Sequence, residues 1–240
     1  MRPGIDAVAF DLDGTLYPNY SLNIRCIPFG ATHLRLFIAF AKARGVFHQY
    51  NPEQNKAGKT AQRGDYYAAQ AAAIASILGE EPDAVRAKIE KLIYRGWEPH
   101  FRKIKLFGGA AQVLKAFKAA GLKLGLLSDF PPVNKIRNLG IDSYWDAMLS
   151  TEEAGALKPD PLSFFDLARV LKTEPGRILF VGNSYKYDVI GAKYAGMQTA
   201  LLTRSRLSTG SPPSAKSVKI HGEPDFVFHD YRQLLNYVLH

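Results

Sequence analysis

Residues 8–16, Val8-Ala9-Phe10-Asp11-Leu12-Asp13-Gly14-Thr15-Leu16, decide the fold. Three apolar residues followed by two carboxylates and a glycine read as a short buried strand that ends in a turn. In extended backbone, neighbouring side chains point to opposite faces, so Asp11 and Asp13 face one side and Leu12 the other. Two like charges at that spacing repel. Such a pair is tolerated where a cation neutralises it, and hard carboxylate oxygens suit Mg2+. Gly14 permits a sharp turn at this point, which predicts backbone N–H groups turned out to receive an anion.

Downstream of residue 105 the chain alternates regularly. An amphipathic helix over 110–120, with Val113, Leu114 and Phe117 on one face, precedes a strand over 122–127. Helices are then predicted at 133–138, 161–171, 188–195 and 231–239, and strands at 147–149, 177–181, 198–202 and 225–228. Alternation of this kind implies an α/β fold, a parallel sheet with helices on both faces. Between residues 17 and 105 the reading changes to helix after helix, at 31–43, 65–78 and 82–94. That stretch is an insertion, and the chain crosses between the two bodies near 28–30 and 107–109. The expected division is therefore 1–16 with 106–240 as the α/β core, and 17–105 as a helical cap.

The composition of the 240 residues, 47% hydrophobic and 22% charged, is that of an ordinary globular protein. A chain this long can bury roughly 70 to 75% of its unfolded surface. Cys26, the single cysteine, excludes an internal disulfide, makes a poor basis for a zinc site and reads as a small half-buried hydrophobe. No signal peptide or apolar membrane span is read, and cytoplasmic residence is the expectation. The net charge of +9 favours anionic partners. Residues 31–105 hold 13 Lys and Arg against 7 Asp and Glu, an excess of six positive charges where a lid over an anionic site would lie. Residues 204–222 hold four basic residues and no acid and read as a surface loop. No nucleic-acid module is recognised, and a solvated basic surface is the preferred reading. Tyr66, Tyr67 and Tyr94 read as packing residues of cap helices, and His33, His48 and His100 have no spacing for a shared metal.

Further chemistry-bearing residues stand at the ends of the later strands. Ser128 follows Leu126-Leu127, Lys158 precedes Pro159-Asp160-Pro161, and Asn183 and Asp188 follow Phe180-Val181-Gly182. Ligands of open parallel sheets bind outside the carboxyl ends of the strands, so these residues are expected to converge on one crevice.

This set resembles the haloacid dehalogenase superfamily, with its four motifs in order. Asp11 to Leu16 match the first, Ser128 the second, Lys158 the third, and Gly182-Asn183-Ser184-Tyr185-Lys186-Tyr187-Asp188 the fourth. The resemblance covers nearly the whole chain and implies a Rossmann-like core with a cap between the first two motifs. It implies Asp11 as the nucleophile that forms an aspartyl-phosphate, and Asp13 as the acid that protonates the leaving alcohol and then activates water. Ser128 and Lys158 would hold phosphoryl oxygens, with Asp129 beside them in the phosphate-binding set. Mg2+ would be held by Asp11, the Asp13 backbone carbonyl, Asn183 and Asp188, the last two directly or through water. The dehalogenases lack a carboxylate at the position of Asp13, so its presence favours phosphate esters.

Two departures carry expectations. Asn183 stands where the family more often has Asp, which predicts a metal still bound but held with more reliance on Asp188. Asp129 stands where Asn is frequent, and a carboxylate beside a phosphate requires a basic or N–H partner. The expected activity is Mg2+-dependent hydrolysis of a phosphomonoester on a small metabolite, the cap closing to exclude water and select the leaving group. A phosphomutase or other phosphotransferase, and a non-catalytic phosphate-sensing scaffold, are the competing readings.

Overall fold

A computed structural model describes residues 2–20, 32–49, 65–203 and 222–240. Cys26, the start of the first cap helix, the 28–30 crossing and nearly all of the 204–222 loop lie outside the described residues.

Six parallel strands form one sheet in the order β3-β2-β1-β4-β5-β6, where β1 is Ala7–Phe10, β2 Lys123–Ser128, β3 Ala147–Ser150, β4 Ile178–Gly182, β5 Gln198–Leu202 and β6 Phe226–Phe228. β1 is central. Phe10 lies in register with Leu126 of β2 on one side and with Val181 of β4 on the other. All four β1 residues are buried, as expected of a parallel strand covered on both faces.

The two-residue alternation of β1 assigns its side chains to two layers. Val8 and Phe10 belong to a cluster with Val113, Leu114 and Phe117 of the helix Ala110–Ala119 and Leu234 and Val238 of the helix Tyr231–Leu239. Ala7 and Ala9 face the other side, with Phe164, Leu167 and Leu171 of the helix Pro161–Leu171. Small side chains on that face leave room for the bulky ones of the helix. The helix starts where Pro161 follows Asp160, whose carboxylate accepts from the Leu162 amide at 2.9 Å.

The described part of 17–105 is helical. Helix α1 is Leu34–Phe47, α2 Tyr66–Leu78 and α3 Pro82–Ile89; a π-helical turn, Glu90–Tyr94, and the short α4, Glu98–Phe101, follow. Asp65 caps α2 by accepting from the Ala68 amide, and Gly79 ends it in the left-handed conformation. Leu36, Phe40, Ile74, Val85, Ile89 and Ile93 form a core of their own. The turn after β1 and the chain returning from these helices meet where the Phe107 amide donates to the Leu16 carbonyl at 2.9 Å.

Two points differ from the sequence reading. Residues 82–94 do not form one α-helix, since the last five open into the π-turn. The expected helix 188–195 is the α-helix Ile190–Tyr194 preceded by a second π-turn, Tyr185–Val189. Among the described residues no helix is long and apolar enough to cross a membrane.

Candidate active site

The carboxyl ends of β2, β1 and β4, adjacent in the sheet, bring Ser128, Asp11 and Asn183 together. The Asp11 amide donates to the Val181 carbonyl at 2.9 Å, extending the ladder by one residue and fixing where Asp11 leaves the strand. Gly14 then turns the chain with φ +93°, and a Cβ there would lie 2.6 Å from Asn183 Nδ2, so both backbone strain and lack of space require glycine. The amides of Gly14 and Thr15 donate to the carbonyls of Tyr17 and Leu12, at 3.0 and 3.3 Å. They are used within the turn and are not offered to an anion, contrary to the expectation for this loop. The Tyr231 hydroxyl holds the turn from below by donating to the Thr15 carbonyl at 2.6 Å.

Lys158 is the electrostatic centre. Its Nζ lies 2.6 Å from Asp11 Oδ1 and 2.8 Å from Asp188 Oδ1, and all three residues are buried. Burial is the largest influence on Asp11 and pushes its carboxyl up, to about 7; Lys158 opposes the shift, and the charges of Asp188 and Asp13 add to it. Burial also works against the charge on Lys158, but Asp11 and Asp188 outweigh it and hold the ammonium protonated well above the usual range. Asp188 owes its position to the π-turn and to Gly182, where a Cβ would sit 2.3 Å from the Asp188 Cβ. Its second oxygen accepts from the amides of Asn183 and Ser184, at 3.1 and 2.9 Å.

Asp13 has a separate set of partners. Lys135 Nζ lies 2.6 and 2.8 Å from its two oxygens, Tyr17 donates to Oδ1, and the Ser128 hydroxyl lies 3.3 Å from Oδ2. Burial opposes ionisation of Asp13, but the Lys135 ammonium and the Tyr17 hydroxyl outweigh it and hold the carboxyl below its ordinary range. Asp129 has the basic neighbours that a carboxylate there requires: Arg44 at 3.9 Å and His48 at 3.7 Å, both from the cap side, with the Thr151 hydroxyl donating at 2.8 Å. His48 Nδ1 also meets the Lys158 carbonyl at 2.7 Å.

The donor set fits a hard cation. The Thr15 hydroxyl lies 2.8 Å from Asp11 Oδ2 and 3.1 Å from Asn183 Oδ1, and its single proton cannot satisfy both acceptors at once. With all three carboxyls ionised, Asp11, Asp13 and Asp188 against Lys158 and Lys135 leave one negative charge in excess, which a divalent ion would offset. Among the described residues no trio of His, Cys, Asp or Glu is arranged around one point. A cation here would therefore draw on oxygens of Asn183 and of the backbone as well. Asp188, with both oxygens already engaged, is suited to act from behind.

The structure thus gathers Asp11, Asp13, Ser128, Asp129, Lys158, Asn183 and Asp188, and a cavity of about 340 Å3 opens over six of them. Sequence reasoning missed Lys135, Thr15, Tyr17 and Arg44. A lysine on a short helix, Val133–Leu139, ordinarily reads as solvated, and only the fold carries it to Asp13. Tyr94 was expected merely to pack, yet its hydroxyl donates to Glu152 of the core at 3.0 Å.

Residues 5–196 match the sequence model of a hydrolase family described as haloacid dehalogenase-like hydrolase. A glyceraldehyde 3-phosphate phosphatase of Methanopyrus kandleri is 27% identical over 164 residues, 67% of each chain. A phosphoglycolate phosphatase of Vibrio vulnificus is 30% identical over 168 residues, 68% of this chain and 70% of that one. Among solved structures, an L-2-haloacid dehalogenase of Xanthobacter autotrophicus superposes with a TM-score of 0.64 over 98% of both chains at 22% identity, a likeness of fold.

Proposed function

The chain belongs to the haloacid dehalogenase-like hydrolases, and from that membership we propose that it hydrolyses phosphomonoesters of small metabolites, with Asp11 as nucleophile and Mg2+ as cofactor. One observation supports this reading above the others: Lys158 lies 2.6 Å from Asp11 at a place where Asp13, Ser128 and Asn183 also converge. Relatives named as phosphatases add to it. The carboxylate of Asp13 favours ester cleavage over dehalogenation, since an alkoxide needs a proton to leave and a halide does not.

In the proposed reaction an Asp11 oxygen attacks phosphorus while the bond from phosphorus to the ester oxygen breaks. Asp13 delivers a proton to the departing oxygen, while the Lys135 ammonium 2.6 Å away stays charged and orients the carboxyl. Water then attacks the aspartyl-phosphate, Asp13 accepts its proton, and phosphate and free Asp11 result. The low proton affinity that Lys135 imposes on Asp13 eases delivery of its proton to the leaving oxygen. Ser128 and Lys158 steady the phosphoryl oxygens. Asp129, tied to Arg44 and Thr151, borders them without exposing a free charge. Asp11, Asn183 and the Asp13 carbonyl would hold Mg2+, with Asp188 behind; the ion supplies charge neutralisation where an anionic nucleophile meets an anionic phosphate. Residues 1–16 with 106–240 form the catalytic body in this reading, and 17–105 the cap. The enzyme would act in the cytoplasm on free metabolites, with no nucleic acid or membrane as partner.

Release of phosphate from an aryl phosphate, measured with Mg2+ and with chelator, tests the reading. Turnover is expected to need the metal and to vanish in Asp11→Asn; a variant as active as the parent would overturn the mechanism.

A further inference from the structure

A second cavity, of about 690 Å3, lies between the cap and the helix Val133–Leu139. Five aromatic side chains line it, Tyr67, Tyr94, Trp97, Phe101 and Phe130, together with charged and amide residues. Phe130 also walls the catalytic cavity, so the two chambers share one side chain. That ring reaches from the loop after β2 into the cap, 5.7 Å from Trp97 and 6.2 Å from Tyr94 between centroids.

Two observations say what belongs in this chamber. The first is direction. A leaving oxygen that takes its proton from Asp13 must lie against the carboxylate that faces Lys135, and Lys135 Nζ stands 5.1 Å from the ring centroids of both Phe101 and Phe130. The body of the leaving group then continues past Lys135 into the aromatic chamber. The second is charge. Three acids and three bases line the cavity; Arg95 is paired with Glu90, Arg86 with Asp65 and Lys135 with Asp13, so none of these three cations is left without a carboxylate to receive another anion. Volume and lining match the sites that take apolar, ring-containing ligands.

Resting on the phosphatase reading above, we propose that the preferred substrates are phosphomonoesters whose leaving group is uncharged and aromatic, about the size of two fused rings, and that this group lodges in the cap-side chamber. Small esters with an anionic leaving group, phosphoglycolate among them, are poor substrates by the same argument.

Comparison of kcat/KM for naphthyl phosphate and phosphoglycolate with Mg2+ present tests the proposal, together with calorimetric binding of naphthol alone. Filling the chamber from its rim by Ala87→Trp, on the exposed side of α3, provides the variant. The parent is expected to favour naphthyl phosphate by about tenfold or more. The variant is expected to lose most of that preference and to bind naphthol more weakly. Equal or reversed preference in the parent, or a preference that Ala87→Trp leaves untouched, overturns the inference. If neither ester turns over, it is the phosphatase reading that falls, and naphthol binding still decides about the chamber: saturable binding weakened by Ala87→Trp supports it, and none refutes it.

Discussion

Arg44 of α1 and Glu152, from the short helix Thr151–Ala154 that follows β3, form a buried ion pair across the joint between cap and core. Glu152 is 1% exposed and, apart from Arg44, has the Tyr94 hydroxyl as partner. Its carboxyl is pushed up to about 7, first by burial, with the Arg44 charge and hydrogen bond opposing. Arg44 for its part is held above its ordinary range, because Glu152 outweighs the cost of burying it. The attraction is real but smaller than the desolvation of the carboxylate. Arg44→Met strands a buried carboxylate and is expected to cost about 3 to 5 kcal/mol. Adding Glu152→Gln to that variant removes the stranded charge and should recover most of the loss. Because the carboxyl is raised, the folded state binds the proton first as pH falls, so between 7 and the ordinary carboxyl value of 4.5 this group's contribution grows more favourable, and the Arg44→Met deficit is largest above pH 7. Urea unfolding reads the cycle, and the chain has a reporter in each body. Trp97 packs on Phe37 and Phe40 of the cap, and Trp145 on Phe10 of the core. With Trp145→Phe, cap fluorescence alone reports. Additive effects of the two substitutions, or a deficit that grows as pH falls below 7, would refute the reasoning.

Two further outcomes are expected. Gly14→Ala forces an L side chain to φ +93° against Asn183; it should lower Tm by about 2 to 8 °C for roughly 1 to 2 kcal/mol of strain and raise the Mg2+ concentration for half-maximal activity. Unaltered Mg2+ dependence would show that Asn183 takes no part in holding the ion. Asp225 accepts from the Thr199 amide at 2.7 Å and from Lys193 at 2.6 Å. Burial works against its charge, but the Lys193 and Thr199 hydrogen bonds hold the carboxyl below its ordinary range. Its contribution is therefore present above pH 3.8 and lost on further acidification. Asp225→Asn should cost about 1 kcal/mol at pH 7 after allowance for solvent screening, and the difference from the parent should close towards pH 3; a constant difference down to that pH contradicts this.

The core was readable because its signals are local. The strand Gln198–Leu202 and the helices Pro161–Leu171 and Tyr231–Leu239 agree with the pattern of apolar residues and caps to the residue. Asp11, Lys158 and Asp188 stand next to strand ends or a proline-marked helix start, and the rule that ligands gather at one end of a parallel sheet brings them together without any side-chain geometry. What stayed hidden depends on partners distant in sequence. Arg44 and Glu152 are 108 residues apart, and Lys135 and Asp13 are 122 apart, so Arg44, Glu152 and Lys135 each look like one more charged residue on a helix. The π-turn Tyr185–Val189 was equally opaque. The sequence pattern starts an α-helix only at residue 188, whereas the wider turn that begins at Tyr185 is what carries Asp188 inward to a position 2% exposed.

The central place of β1 has a consequence for how the protein is made. This strand is complete at Phe10, but its neighbours in the sheet begin only at Lys123 and Ile178. At ribosomal speeds of 5 to 20 residues per second, about 6 to 23 s pass between synthesis of the strand that leads to Asp11 and the start of its first neighbour. The cap helices, whose contacts are local, emerge in that interval and can pack on one another while the sheet that will hold them does not yet exist. A nascent Val8-Ala9-Phe10 is an apolar edge without a partner, and slow decoding between residues 17 and 122 lengthens its exposure to chaperones and to other nascent chains.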